Sequence, residues 1–194
     1  MKLLFTILAF SVFMFSSNAQ LTKGNWLTGG TGKLYTYNRD YSTSTFSVQY
    51  KYTDIDVSAS VGYFVADMLA FGLRPNFSWL KGEGVSGTGA SGLRTNTKRY
   101  GIGPFVRYYF LNKDKPFNIL SDISYQFGVI NPEGESGKAN TFSFLTGPVI
   151  YFNSSVGLEF LLGYSSKTEE LKDNYKDVRK GFQIGIGFQI HLIK

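Results

Sequence analysis

Residue types that carry nucleophilic or metal chemistry are scarce in this chain. Its 194 residues include one histidine, His191, and no cysteine. A serine nucleophile needs a histidine base oriented by a carboxylate, and His191 lies near the end of the last apolar segment, where a structural role explains it better. The run Gly29 to Gly32 lacks the Lys-Ser/Thr pair and the helix of a phosphate-binding loop. The aspartates lack calcium-loop spacing, so we expect no enzymatic activity, no metal and no cofactor.

Charged residues inside the alternating apolar segments are the better candidates for a site. They share the side of each segment that carries Gly, Ser and Gln, and they are Arg74, Arg107, Glu159, Asp122, Asp54 and Asp56. A buried charge without a partner is too costly to keep. We therefore expect Arg74 and Arg107 to pair, inside the fold, with Glu159, with Asp122 or with the two aspartates Asp54 and Asp56.

The last segment, Gly181 to Lys194, shows how these side chains are positioned. Large apolar residues alternate there with Gln, Gly and His; the apolar set is Phe182, Ile184, Ile186, Phe188, Ile190 and Leu192. Such a period of two predicts a strand. Six large side chains per strand would overfill a barrel of about eight strands, so the apolar face must point outward. An outward apolar face is typical of a barrel in a membrane.

Eight alternating segments predict eight strands. Their ranges are 24–37, 45–64, 68–81, 97–110, 117–130, 140–152, 155–165 and 181–193. The even-numbered connections are short and the odd-numbered ones are longer and polar. This sorting is typical of an up-and-down antiparallel transmembrane barrel with both termini in the periplasm and long loops outside the cell.

Two irregularities interrupt this pattern. Pro75, Pro104 and Pro148 lie inside strand patterns although proline removes a ladder donor, which counts against central strands at these points or marks bulges. In the second segment the apolar parity changes between Tyr52 and Ile55, which predicts either a bulge or a membrane boundary at that point.

The N-terminal residues predict export. Lys2 precedes an apolar run from Leu3 to Phe15, and small residues follow up to Ala19, as in a cleavable signal peptide of residues 1–19. No cysteine follows for lipid attachment, and residues 20–194 would form one barrel domain. The formal charge of +6 includes Lys2. Export argues against a nucleic-acid partner, although basic and aromatic residues are interleaved.

The mature chain resembles a known family in several stretches. Residues 24–27, 62–67 and 103–110, together with the final strand, resemble small outer-membrane β-barrel proteins of Bacteroidetes-type bacteria, distant relatives of the OmpA and OmpW barrels. The resemblance implies a Gram-negative outer membrane. The final strand also resembles the signal read by the barrel-assembly machinery, with Gln183, Gly185, Phe188 and Ile190 in the signal positions. It ends in Lys194 where that signal usually has Phe.

Two functions remain open on these grounds. One is a structural or surface-interaction barrel that contacts outer-membrane lipid and lipopolysaccharide. The alternative is a narrow, porin-like barrel that passes a small solute or hydrophobic compound. The bulky lumen residues favour the first; they are Arg74, Arg107, Phe105, Tyr109, Tyr151 and Glu159. The basic cluster Arg94, Lys98 and Arg99 would bind lipopolysaccharide phosphates or, more simply, solvate the second long loop.

Overall fold

The computed structural model describes residues 21–42, 47–87, 94–113, 115–132, 136–171 and 176–192, with backbone alone at 35, 37, 39, 41, 86 and 87. The predicted signal peptide and Lys194 lie outside the described residues. The signal peptide and its cleavage therefore stay predictions.

Eight antiparallel strands form one closed barrel, with each strand beside its neighbours in sequence and β1 beside β8. The strands are β1 (Trp26–Ser42), β2 (Ser47–Ala66), β3 (Leu69–Gly87), β4 (Arg94–Tyr109), β5 (Phe117–Pro132), β6 (Gly137–Tyr151), β7 (Val156–Glu170) and β8 (Lys176–Leu192). The predicted all-β, eight-stranded, up-and-down barrel is confirmed. Among the described residues there is no helix long and apolar enough to cross a membrane.

The two ends of the barrel differ. The turn end carries the start of β1, the end of β8 and three connections, of which Asp67 and Met68 form the tightest, with a φ of 64° at Met68. The loop end carries the other four connections. We use these two names for the ends throughout.

The faces of the strands alternate as the sequence predicts. On β8, Ile186 and Phe188 are more than half exposed on the outside, whereas Gln189 and His191 are buried inside. The same alternation places Leu73, Ile102, Ile123, Phe127 and Leu162 on the outer surface. Large apolar side chains therefore cover the outside of the barrel, and the inward positions carry small or polar side chains except toward the turn end, where large ones are buried.

Most strands extend further toward the loop end than their apolar alternation indicates. β3, for example, reaches Gly87, and β7 reaches Glu170, where it pairs with Lys176 of β8. These extensions are mostly polar and lack a continuous apolar face, so hydropathy alone cannot reveal them. Their backbone hydrogen bonds continue the ladder without an apolar face.

The irregularities resolve differently from the sequence expectations. Three ladders each lose two residue pairs beside a proline. They are the β2–β3 ladder at Pro75, the β4–β5 ladder at Pro104 and the β6–β7 ladder at Pro148, and the register is unchanged in all three. Of the two alternatives, the prolines therefore interrupt the ladders locally and do not mark bulges. No register shift lies between Tyr52 and Ile55 either, because the nearest one is at Gln49 and Tyr50.

The change of parity in β2 has another cause. Val48 is buried on the inner face, and the ring of Tyr52 covers Gly82, where a Cβ atom would lie 2.6 Å from it. These side chains fill the lumen near the loop end. The strand keeps its orientation, and only the chemistry of the two faces changes along it.

The seam between β1 and β8 is the shortest ladder. It runs from Trp26 opposite Leu192 to Gly32 opposite Ile186. Beyond that point, residues 33–42 pair with β2 and residues 176–185 pair with β7, and the two described segments do not pair with each other. The barrel is thus closed toward the turn end and unpaired at this seam toward the loop end.

Candidate functional site: the barrel lumen

The turn end of the lumen is filled by a packed apolar layer, which we call the plug. Its residues are Leu21, Leu27, Phe64, Ala70, Phe105, Tyr109, Leu120, Leu145, Val149, Tyr151 and Leu161. Tyr109 and Phe64 are fully buried, with ring centroids 5.9 Å apart. Such packing excludes solvent from this half of the barrel.

His191 belongs to this plug. It is buried among the rings of Phe64, Tyr109 and Tyr151, with centroids 5.5, 6.1 and 5.7 Å away. Neither ring nitrogen has a hydrogen-bond partner among the described residues. A catalytic histidine needs both a nucleophile and an orienting carboxylate within reach, so His191 is placed as a packing residue.

A charge network lies directly above the plug, and Asp122 is at its centre. Arg74 donates to both carboxylate oxygens of Asp122, from Nη1 to Oδ1 and from Nη2 to Oδ2, each at 2.7 Å. Arg107 Nε donates to Asp122 Oδ2 at 3.0 Å. Arg74 also donates to the hydroxyls of Ser60 and Ser124. One carboxylate therefore joins two guanidinium groups from neighbouring strands.

Glu159 completes the network on the opposite side. Arg107 Nη1 donates to Glu159 Oε1 at 2.5 Å and to Gln189 Oε1 at 3.0 Å. Tyr109 Oη donates to the same Gln189 oxygen at 2.6 Å, and Gln189 Nε2 donates to the hydroxyl of Tyr151 at 3.1 Å. The network is neutral, with two arginines and two carboxylates, and its charged groups are almost fully buried. Bidentate, fully partnered geometry is what makes buried ion pairs tolerable.

The structure therefore brings together four of the six predicted network residues. Arg74, Arg107, Asp122 and Glu159 share one cluster, while Asp54 and Asp56 lie outside it. Asp54 instead accepts a hydrogen bond from Ser78 at 3.3 Å. Ser60, Ser124 and Gln189 were not predicted as members, although their inward parity was readable from the sequence.

A polar cavity of about 300 Å³ occupies the lumen above the network. Its walls combine small hydroxyl side chains with charged ones, and include Thr31, Lys33, Asp54, Asp56, Ser58, Ser143, Ser165, Lys167 and Gln183. The cavity is ten or more water volumes in size by the usual share of about 30 Å³ per water. The loop-end half of the lumen is therefore hydrated space.

A second ion cluster lies nearer the loop end, and sequence reasoning missed it. Arg99 Nε donates to Glu169 Oε1 at 2.7 Å, and Arg179 also pairs with Glu169. Arg99 is only 5% exposed, so the expectation that it binds lipopolysaccharide phosphates or solvates the loop is wrong for this residue. Arg99 lies on the same face of β4 as the inward residues Gly101 and Gly103, and this alternation predicts that it faces the lumen.

The residues that resemble an assembly signal divide between the two faces. Gln183 and Gly185 face the lumen, Phe188 lies on the outer face, and Ile190 is half-buried there. All four sit in β8, so a machinery that reads this strand would have to do so before the barrel closes. Their role in assembly stays a prediction.

The described lumen offers packing and ion pairing and no evident catalytic chemistry. Within the described ranges, no group of three or more His, Asp or Glu side chains could hold a metal ion. What the arrangement can do is close the turn-end half to water and ions, while leaving the loop-end half hydrated.

Comparison with known proteins adds little beyond the fold. No protein-family model matches the chain, and no curated protein matches it. Among solved structures it is similar to Neisserial surface protein A at 17% identity and a TM-score of 0.47, covering 87% of this chain and 97% of that chain.

Proposed function

We propose that this protein is an outer-membrane barrel with a structural or surface-interaction role. The turn end faces the periplasm and the loop end faces the cell exterior. The strand extensions at the loop end support this orientation, because they lengthen those hairpins beyond the apolar segments and outer-membrane barrels place their longer hairpin ends outside the cell.

The outer surface supports the membrane location. Apolar side chains are exposed on every strand, and on β8 alone Phe182, Ile184, Ile186, Phe188 and Leu192 are each at least half exposed. Soluble monomers rarely expose contiguous apolar patches of more than a few hundred Å². Lipid is the environment in which this surface is stable, because an outward apolar band is what a membrane barrel presents to hydrocarbon.

Aromatic rings at the turn end support a membrane boundary there. Trp26, Tyr108, Phe110, Phe117 and Phe152 are all exposed beside the tight connections. Amphipathic rings favour the head-group level of a bilayer. The turn end would therefore lie at the periplasmic interface.

The filled lumen is the observation that carries the choice of role. The plug and the charge network together leave no described path along the barrel axis through the turn-end half. An eight-stranded barrel has little free bore in any case. This supports a structural or interaction role over passage of a solute through the lumen.

The loop end would provide the interaction surface. Exposed ion pairs line it, including Lys81 with Glu83 and Lys176 with Glu170. Arg94 and Lys98 are exposed cations on β4 and are free to meet lipopolysaccharide phosphates. The barrel-assembly machinery would be the partner during insertion.

A planar-bilayer recording tests this role. Refolded protein, checked for its compact form on an unheated detergent gel, is expected to give no stepwise ion conductance. A conducting porin in the same membrane serves as the positive control. Stable, stepwise conductance from the folded protein would overturn the proposal and favour the transport alternative.

A further inference from the structure

The unpaired part of the β1–β8 seam is an unusual feature for a strand edge in a membrane. Above Gly32 and Ile186, two strand edges face each other without pairing. Unsatisfied backbone groups in hydrocarbon cost several kcal/mol each. The residues bordering this gap on the outside are among the most exposed apolar ones, with Leu34 at 69%, Ile184 at 74% and Phe182 at 87%. Something other than the barrel itself must line this opening.

Lys33 lies at the opening and reaches across it. Its Nζ donates to Oε1 of Gln183 at 2.5 Å, which joins β1 to β8 above their last ladder pair. Asp56 is the cross-strand neighbour of Lys33 on β2, yet the two form no ion pair among the described residues. The ammonium group is thus hydrogen-bonded at the seam to a neutral amide, and Asp56 attracts it without a direct ion pair.

An apolar groove runs along the outer face beside this seam. It encloses about 470 Å³, and its lining includes Gly30, Gly32, Val57, Ala59, Ile186 and Phe188. The floor is low at Gly30, Gly32 and Ala59, which lack side chains beyond Cβ. A Cβ atom on Gly32 would meet nothing within 4 Å, so the backbone does not require glycine there for close packing.

The groove and the lumen cavity are two sides of the same wall. Thr31 and Ser58 line both of them, and their hydroxyl groups are hydrogen-bonded to each other at 2.6 Å. Lys33 and Gln183 line the cavity side. A hydrophobic groove on the lipid face therefore lies back to back with the lumen cavity, and Lys33 follows directly after Gly32, where the β1–β8 ladder ends.

We propose that this seam binds one single-chain amphiphile with an anionic head group, such as a fatty acid. Its acyl chain lies in the groove over Gly30 and Gly32, and its carboxylate enters the gap and displaces Gln183 from Lys33. The groove volume falls within the range of about 300 to 1,000 Å³ typical of small-molecule sites. The proposal goes beyond the structural or interaction role, since it needs no path through the plug.

The occupant follows from the chemistry on each side of the gap. The groove is apolar along its whole length, which suits an acyl chain, and Lys33 at the gap is a cation whose hydrogen bond goes to a neutral amide, which suits a carboxylate. A strand from a second copy would also satisfy the open edges. It would leave Lys33 without an anion, however, and the groove empty.

A photoreactive palmitate analogue tests the site in the full-length barrel, reconstituted in phosphatidylcholine vesicles. The expected result is saturable labelling concentrated on β1, β2 and β8 around the groove. Labelling spread evenly around the barrel would overturn the proposal, and so would a β1–β8 contact between two copies that leaves the analogue unbound.

Variants separate the two parts of the site. Lys33→Gln keeps an amide partner for Gln183 and should weaken palmitate binding at least tenfold, while leaving binding of a neutral fatty alcohol of equal length unchanged. Gln183→Glu provides an internal carboxylate for Lys33 and should weaken palmitate in the same selective way. Equal affinity for palmitate in the parent and both variants would overturn the role of Lys33.

The groove itself is tested by Gly32→Leu, which places a side chain in open space and should weaken the acid and the alcohol alike. Val106→Leu adds a methylene to the lipid face of β4, away from the seam, and is the matched control expected to change neither. Compactness on an unheated gel confirms that each variant is folded. If folded Gly32→Leu binds both probes as the parent does, the groove is not the site.

Discussion

The two halves of the lumen differ in the size of their inward side chains and in the pairing of their strands. Toward the turn end, large side chains such as Phe64 and Tyr109 are fully buried and all eight ladders are paired. Toward the loop end, small hydroxyl residues such as Ser143 and Ser165 border a cavity, and one ladder stops at Gly32. A single barrel thus combines a sealed half with a hydrated and laterally open half. The size of the inward side chains determines which half is sealed and which half is hydrated.

The boundary between the halves is the charge network, and breaking it should have the largest effect. Glu159→Ala leaves Arg107 with a buried charge that Asp122 alone must balance. We expect a loss of about 3 to 5 kcal/mol in the free energy of unfolding, measured by urea titration in detergent or vesicles.

Asp56→Asn is the control for that change, because Asp56 lines the hydrated cavity and lies outside the network. It should shift the unfolding midpoint far less. An unchanged midpoint for Glu159→Ala would contradict a closed network at the boundary.

The outer face of the sealed half gives the next largest effect. Ile186 is in the last β1–β8 pair and more than half exposed. Ile186→Lys should cost about 2 to 4 kcal/mol if the side chain lies near the bilayer midplane, because it places a charge in hydrocarbon. The measurement is the fraction of refolded protein that remains compact on an unheated gel.

Gln183→Glu, which places a charge on the lumen face of the same strand, should be tolerated by comparison. Tolerance of Ile186→Lys combined with failure of Gln183→Glu would mean that the apolar face is inside and that the barrel is soluble.

Two adjacent glutamates in the open half provide a finer comparison. Glu169 is buried between Arg99 and Arg179, whereas Glu170 is exposed and pairs with Lys176. Glu169→Gln removes the carboxylate partner of a buried guanidinium and should cost about 1 to 3 kcal/mol. Urea titration of the folded barrel provides the measurement.

Glu170→Gln should leave the unfolding midpoint unchanged, since exposed ion pairs contribute little. The hydrogen bond from Lys176 lowers the pKa of Glu170. Any small stabilisation by this pair is therefore present above the ordinary glutamate pKa and lost as the pH falls through the lowered one. Equal effects of the two substitutions would contradict the separation of inner and outer faces at the loop end.

The architecture was predictable because one physical rule repeats along the chain. Alternation with a period of two assigns each residue to a face, and the limited volume of a small barrel decides which face is inside. That rule predicts that Arg74, Arg107, Asp122 and Glu159 face the lumen, and the structure places all four there. The same rule assigns Arg99 to the lumen. The expectation that this charged residue is exposed to solvent is wrong.

The remaining features depend on spatial relations that the alternation does not encode. Asp54 and Asp56 have inward parity like Asp122, yet their height along the barrel places them at the cavity. Strand extensions such as the end of β7 have no apolar face to reveal them. The end of the β1–β8 ladder at Gly32 depends on how the first and last strands meet, which no local pattern determines.

The division of the lumen is tested most directly by cysteine labelling, because the chain has no native cysteine. Ser165→Cys places a thiol at the cavity and Ala70→Cys places one in the plug. In folded protein in vesicles, a water-soluble maleimide should label Ser165→Cys readily and Ala70→Cys only after unfolding. Rapid labelling of Ala70→Cys in the folded barrel would contradict a sealed turn-end half.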